Sequence, residues 1–172
     1  MKGVAHRPHD RCQTSFHLCI YLLYSYDAGT LNVNAGTTGS NTFLDGDIRL
    51  YSGTATTNPV NLYSIKCEPG NINTITLPAV VETFVSGEWY VAGVSSIAND
   101  LPTSAAPTLS HVFTSTGINA YEIGDLIPSG APGTELFTYA ASTSWRVAAG
   151  VTIKPLGAAT SGSQLILTGA GQ

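Results

Sequence analysis

The sequence predicts an all-β protein, an antiparallel β-sandwich or jelly roll that follows an amino-terminal arm. Three observations carry that expectation. Short apolar runs recur along the chain with Gly, Pro, Asn and Ser between them, the spacing of many short strands joined by turns. No segment sustains a 3.6-residue apolar period with capping residues, so helices are few and short. The stretch from Ser144 to Ile153 alternates: Trp145, Val147, Ala149, Val151 and Ile153 take one parity, and Arg146, Ala148, Gly150, Thr152 and Lys154 the other. That is the period of a half-buried strand with one apolar face and one small or polar face. Its Val, Thr, Ile and Trp suit a pleated surface.

In chain order, residues 1–26 differ from the remainder. They hold three of the four histidines, two of the three cysteines and a short apolar run from Phe16 to Tyr24. The layout is a poor secretory signal, because His17 and Cys19 interrupt the middle and no Ala-x-Ala site follows. The spacing of His6, His9, Cys12, His17 and Cys19 matches no standard zinc pattern. An unstructured or loosely docked arm is expected, and residues 27–172 form the sandwich domain. Thr30 to Asn34 is a first short strand, and Asp47 to Tyr51 alternates as a second. Val60 to Cys67 and Ile72 to Leu77 flank Glu68-Pro69-Gly70-Asn71, the strongest turn in the chain, and are expected to pair as an antiparallel hairpin. Val80 to Val85 is a further strand. After the turn at Ser86-Gly87, the segment from Glu88 to Ile97 is apolar on both parities, as expected for a strand covered on both faces. Asn99 to Pro107 and Pro128 to Gly133 are loops. Leu109 to Phe113 and Asn119 to Ile123 are weak strands or single helical turns, and Glu135 to Ala140 leads into the 144–153 strand. A final run at Gln164 to Thr168 follows by a hairpin-like or corner connection.

At 172 residues the chain is one domain by size. Charged residues make up 10 % of it, against roughly 25 % on average. Thr, Ser, Gly, Asn and Ala fill the surface, which suits a subunit packing against copies of itself, or an extracellular protein. No apolar run approaches the length of a membrane span. After Cys12 there are four basic residues (Arg49, Lys66, Arg146, Lys154) against ten acidic ones, the chain's eleven less Asp10. The body therefore offers no basic stripe for nucleic acid; only the arm could hold it, and its Lys2, Arg7 and Arg11 are a thin electrostatic footprint. Three cysteines make no disulfide framework. Cys67 reads as a small buried hydrophobe, with an arm-to-body or Cys12–Cys19 disulfide as the alternative in an oxidising setting.

Catalytic constellations are missing from the sequence. The one body histidine, His111, lies in a plain Leu-Ser-His-Val-Phe context without a nucleophile elbow. No phosphate loop and no Cys-x-x-Cys pair occurs, so an enzyme is not expected, and neither is a cofactor. Asp45 and Asp47 around Gly46 are the candidate ligands for a cation such as calcium, completed across a subunit contact. A turn with solvated carboxylates is the plainer alternative. Glu82 and Glu88, and Glu122 and Asp125, are weighed the same way. Arg146 and Lys154 share the polar parity of the 144–153 strand, facing a partner subunit, an enclosed polymer or solvent. Trp89 and Trp145 read as core.

Two segments also carry a resemblance. Tyr139 through Trp145-Arg146-Val147 and Gly150 to Pro155, then Ser161-Gly162 and Leu165 to Leu167, resemble a segment of icosahedral virus coat proteins of the nodavirus-like group. Pro69 to Leu77, Pro78 and Trp89-Tyr90-Val91 are similar to the early jelly-roll strands of the same capsids. The likeness spans residues 69–167 and implies a jelly-roll capsid subunit in a virion, a homo-oligomer enclosing RNA through its arm. The arm is far less basic than in that family, and no position matches its autocatalytic maturation site. Two other classes fit the composition. One is a subunit of an extracellular filament, appendage or phage decoration. The other is a carbohydrate-binding or adhesive module using Tyr51, Tyr63, Trp89 or Tyr90 as aromatic platforms.

Overall fold

A computed structural model describes residues 17–25, 44–55, 59–70, 72–78, 86–96, 99–116, 120–129, 134–143, 145–156 and 163–171. For 17–25, 44–46, 61–63, 142–143 and 163–171 it describes the backbone alone. The protein is all-β among these residues. Its strands are β1 (His17–Ser25), β2 (Leu44–Ser52), β3 (Val60–Glu68), β4 (Ile72–Leu77), β5 (Trp89–Ser96), β6 (Ser104–Ala106), β7 (Ser110–Ser115), β8 (Ala120–Leu126), β9 (Glu135–Thr143), β10 (Arg146–Ile153) and β11 (Ser163–Gly171). The expected strands at 30–34 and 80–85 lie outside the described residues, as do residues 1–16 of the arm. Residues 17–25, expected to belong to that arm, form β1 and pair with β11 along its whole length.

The strands form three antiparallel sheets, in the orders β1-β11-β2, β3-β10-β5-β8-β7 and β4-β9-β6. The five-stranded sheet is the middle of the sandwich. Alternate residues of its inner strands feed opposite cores. Val91, Val147, Ala149, Val151 and Ile153 join Tyr51 of β2 in one cluster. Tyr90, Ala92, Val94 and Ala148 join Ile75 and Leu77 of β4, and Phe137 and Tyr139 of β9, in the other. Each of these larger apolar side chains contributes roughly 1.5–3 kcal/mol on burial.

This layering changes the account of the 144–153 stretch. Every residue of β10 is buried, so its second parity is not a solvated face. Its small residues make room for the neighbouring layer: a Cβ on Gly150 would meet the Tyr90 hydroxyl at 3.0 Å and Leu77 Cδ1 at 3.4 Å. β5 is buried on both faces, as its two-sided apolar sequence implies.

The reversal at 68–71 is present, with Gly70 at φ +95°, a conformation glycine adopts without steric cost. It is a corner and not the expected hairpin. β3 pairs with β10 in the middle sheet, whereas β4 pairs with β9 in an outer one. β10 and β11 likewise lie in different sheets, which settles their connection as a corner. Cys67 is half-buried and disulfide-bonded, so it is not the free buried thiol expected of it. The chain's other cysteines are Cys12 and Cys19.

Candidate functional site

Strand β2 packs on the middle sheet with its polar parity inward. Arg49 and Tyr51 are only 9 % and 4 % exposed, while Ile48 and Leu50 between and beside them are 54 % and 72 % exposed. A charge buried this way needs partners, and β7 and β8 supply them. Arg49 Nη1 donates to Asp125 Oδ2 at 2.8 Å. Its Nη2 donates to the carbonyl oxygens of His111 at 2.7 Å and Ile123 at 3.1 Å, and its Nε donates to Asp47. The Tyr51 hydroxyl donates to the same Asp125 Oδ2 at 2.8 Å. On the other oxygen, His111 Nδ1 lies 2.8 Å from Asp125 Oδ1.

Burial opposes the charge on Arg49, but its hydrogen bonds to Asp125 and Asp47 outweigh that and raise its pKa. Burial and then the bond to Asp125 push the Tyr51 phenol upward, so it stays a donor. An ionised carboxylate only accepts, so the proton between His111 and Asp125 belongs to Nδ1. With Nδ1 committed to Asp125, Nε2 is the ring nitrogen left for a further partner, on a side chain that is 74 % exposed.

His111 reaches Asp125 through a local irregularity. The β7–β8 register shifts between Ser110 and Phe113, and His111 has φ +45°. A bulge re-aims a side chain in this way, and a left-handed non-glycine residue costs on the order of 1 kcal/mol. Beside the network a cleft of about 460 Å³ opens between β2 and β7, lined also by Leu50, Ser52, Trp89 and Phe113. Trp89 is half-buried, with its ring 5.0 Å from that of Tyr51 at 55°.

The structure separates the residues singled out from the sequence. Asp45 and Asp47 lie on strand β2 and not in a turn. Asp47 is committed to Arg49, and the Asp45 side chain lies outside the described residues. Among the described residues no three His, Cys, Asp or Glu side chains group as a metal site. Arg146 is fully buried and does not face solvent, a partner or a polymer. It donates to Asp100 at 3.0 Å, to the Ile72 carbonyl and to the Ala141 carbonyl at 3.3 Å, and its guanidinium stacks 3.7 Å over the Tyr139 ring. Lys154 is half-buried, its backbone tied to Pro59 and Ala55. Tyr90 is buried in the opposite core and is no platform, and the Tyr63 side chain lies outside the described residues. Trp145 is half-buried.

Two more carboxylates face the other layer. Glu135 is fully buried, and neither of its oxygens meets a hydrogen-bond partner among the described residues. Burial, then the charge of Glu122, raises its pKa to about 8. Burial alone raises Glu122 to about 7. Both are accordingly held as neutral acids over the acid-to-neutral range.

The cluster of Arg49, Tyr51, His111 and Asp125 had no local signature, because its members lie 60 to 76 residues apart except for the pairs within one strand or hairpin. The one signal was an arginine on the same parity as Asp47 and Tyr51. Comparison of the chain with models of known protein families finds no match, and neither does comparison with curated proteins or with solved structures.

Proposed function

We propose that the chain is a structural subunit that assembles with copies of itself, a coat-protein-like component of a virion shell, and that it has no catalytic role. The outward face of β2 carries this reading. Ile48 and Leu50 stand exposed there while Asp47 and Arg49 of the same strand point inward, the reverse of what a solvated outer strand requires. The register sets Leu167 and Leu165 of β11 opposite them. Val112, Phe113 and Ile127 add further exposed apolar side chains. A second copy covering Leu50 removes it from water at a gain of roughly 1.5–3 kcal/mol.

Charge supports the same division of labour. Arg49 and Arg146 are buried, and Lys66 pairs with Glu68 at 2.9 Å. In this reading RNA is met by Lys2, Arg7 and Arg11, and the sandwich supplies the shell. The filament reading would use the outer edge of β7, which has no neighbour among the described strands. The bulge and the left-handed His111 interrupt that edge, a feature that discourages strand addition, so packing through faces is favoured. Electron microscopy of the purified protein tests the proposal. Closed shells are expected; monomers at every concentration and salt, or helical fibres, would refute it.

A further inference from the structure

We propose that the cleft between β2 and β7 is a binding site for a neutral saccharide of one or two rings. This goes beyond assembly: Leu50 and Phe113 line the cleft and also belong to the exposed apolar surface, so the sugar is taken by the subunit before a second copy covers them.

Three independent features make the cleft a built site. The first is an aromatic wall. Trp89 is half-buried and held at its back by Tyr51, and Phe113 is braced edge-on by Tyr121 at 6.1 Å. Rigid aromatic rings that keep an open face offer a surface to the C–H side of a sugar ring, which is apolar. The second is an oriented acceptor. Asp125 fixes the tautomer and direction of His111, leaving Nε2 for a ligand hydroxyl at little cost in ordering. The third is the distorted backbone that puts His111 there, a bulge and a positive φ in an edge strand. Strain of this kind persists where the surroundings enforce it and clusters at functional sites.

Size and charge narrow the ligand. About 460 Å³ falls within the range of small-molecule sites, roughly 300–1,000 Å³. Arg49 spends its donors on Asp125, Asp47 and two carbonyl oxygens, so it is no anion clamp. The cleft sets two carboxylates, Asp47 and Asp125, against the one guanidinium of Arg49, which disfavours an acidic sugar. A neutral polyol with one apolar face matches what remains.

Saturation-transfer NMR on the full-length protein tests this, with glucose, galactose, N-acetylglucosamine, lactose and maltose as probes and sialyllactose as the anionic control. Transfer to the ring protons of at least one neutral sugar is expected, with a dissociation constant in the millimolar range. His111→Gly, which keeps the left-handed backbone allowed, is expected to weaken binding about tenfold, equivalent to 1.4 kcal/mol. His111→Gln, which restores an acceptor, is expected to recover part of that loss, and Trp89→Ala to abolish binding. No transfer from any neutral sugar to the wild type would overturn the proposal, as would unchanged binding in folded His111→Gly, or preferential binding of sialyllactose. His111 is exposed, so its variants decide the matter even where Trp89→Ala fails to fold.

Discussion

The two outer layers of the sandwich are built in opposite senses. The layer of β4, β9 and β6 is conventional: Ile75, Leu77, Phe137 and Tyr139 face the middle sheet, and half-buried or exposed Thr74, Thr76 and Thr138 face away. In the layer of β1, β11 and β2, strand β2 turns Asp47, Arg49 and Tyr51 inward and leaves Ile48 and Leu50 to the outside. The conventional layer gains its stability from apolar area. The inverted one offsets the burial of charge with a closed set of hydrogen bonds around Asp125, and leaves apolar area unused. Such area represents a gain realised only when something covers it. On the proposed reading, structure and function are divided between the layers, the β4 layer closing the fold and the β2 layer being the one offered to a second copy.

The comparison can be broken by removing what makes each layer distinct. The largest effect is expected for Arg49→Ala. It leaves Asp125, 4 % exposed, as a buried charge without its counter-ion, and such losses cost about 3–5 kcal/mol. Urea unfolding should show a fall in midpoint of that size, and an unchanged midpoint would mean that the inward charges are not what secures β2.

Glu135→Gln probes the opposite layer, and its effect depends on pH. The folded state keeps protons on Glu135 to about pH 8 and on Glu122 to about pH 7, whereas an unfolded glutamate releases them near its ordinary value of about 4.3. The unfolded state thus binds fewer protons in this window, so stability falls as pH rises from about 4.5 towards 8 and levels off above. Each unit of displacement corresponds to about 1.4 kcal/mol, which puts the loss from Glu135 at a few kcal/mol. The glutamine variant should match the wild type near pH 4.5 and exceed it at pH 8. Parallel melting-temperature profiles for the two proteins across that range would contradict the assignment.

Local sequence made some of this legible and left the rest hidden, for physical reasons. Apolar residues on both parities of β5 announced burial on both faces, because only a middle strand tolerates them. Ala148 and Gly150 of β10 read as a weakly polar outer face, yet Ala148 is packed in the second core and Tyr90 and Leu77 crowd against Gly150. Pro69 and Gly70 specified a chain reversal but not its consequence: a turn fixes where the chain bends, and pairing across layers sends β3 and β4 to different sheets. The alternation at 47–51 revealed that β2 has two faces, but alternation carries no sign. Which face goes inward is decided by Asp125 and His111, more than sixty residues away. Of the cleft, the segments that resemble coat proteins contain only Trp89.

The smallest effect on stability and the largest on behaviour are expected from the same change, Ile48→Lys with Leu50→Lys. Both side chains are exposed, so substitution should shift unfolding by no more than about 0.5 kcal/mol each. Sedimentation velocity of this double variant beside the wild type, over a range of protein concentrations, is the most direct test of assembly through the inverted layer. Wild type should sediment as assemblies whose fraction grows with concentration, and the double variant as a folded monomer. A wild type that stays monomeric throughout, or a double variant that assembles as the wild type does, would contradict the account.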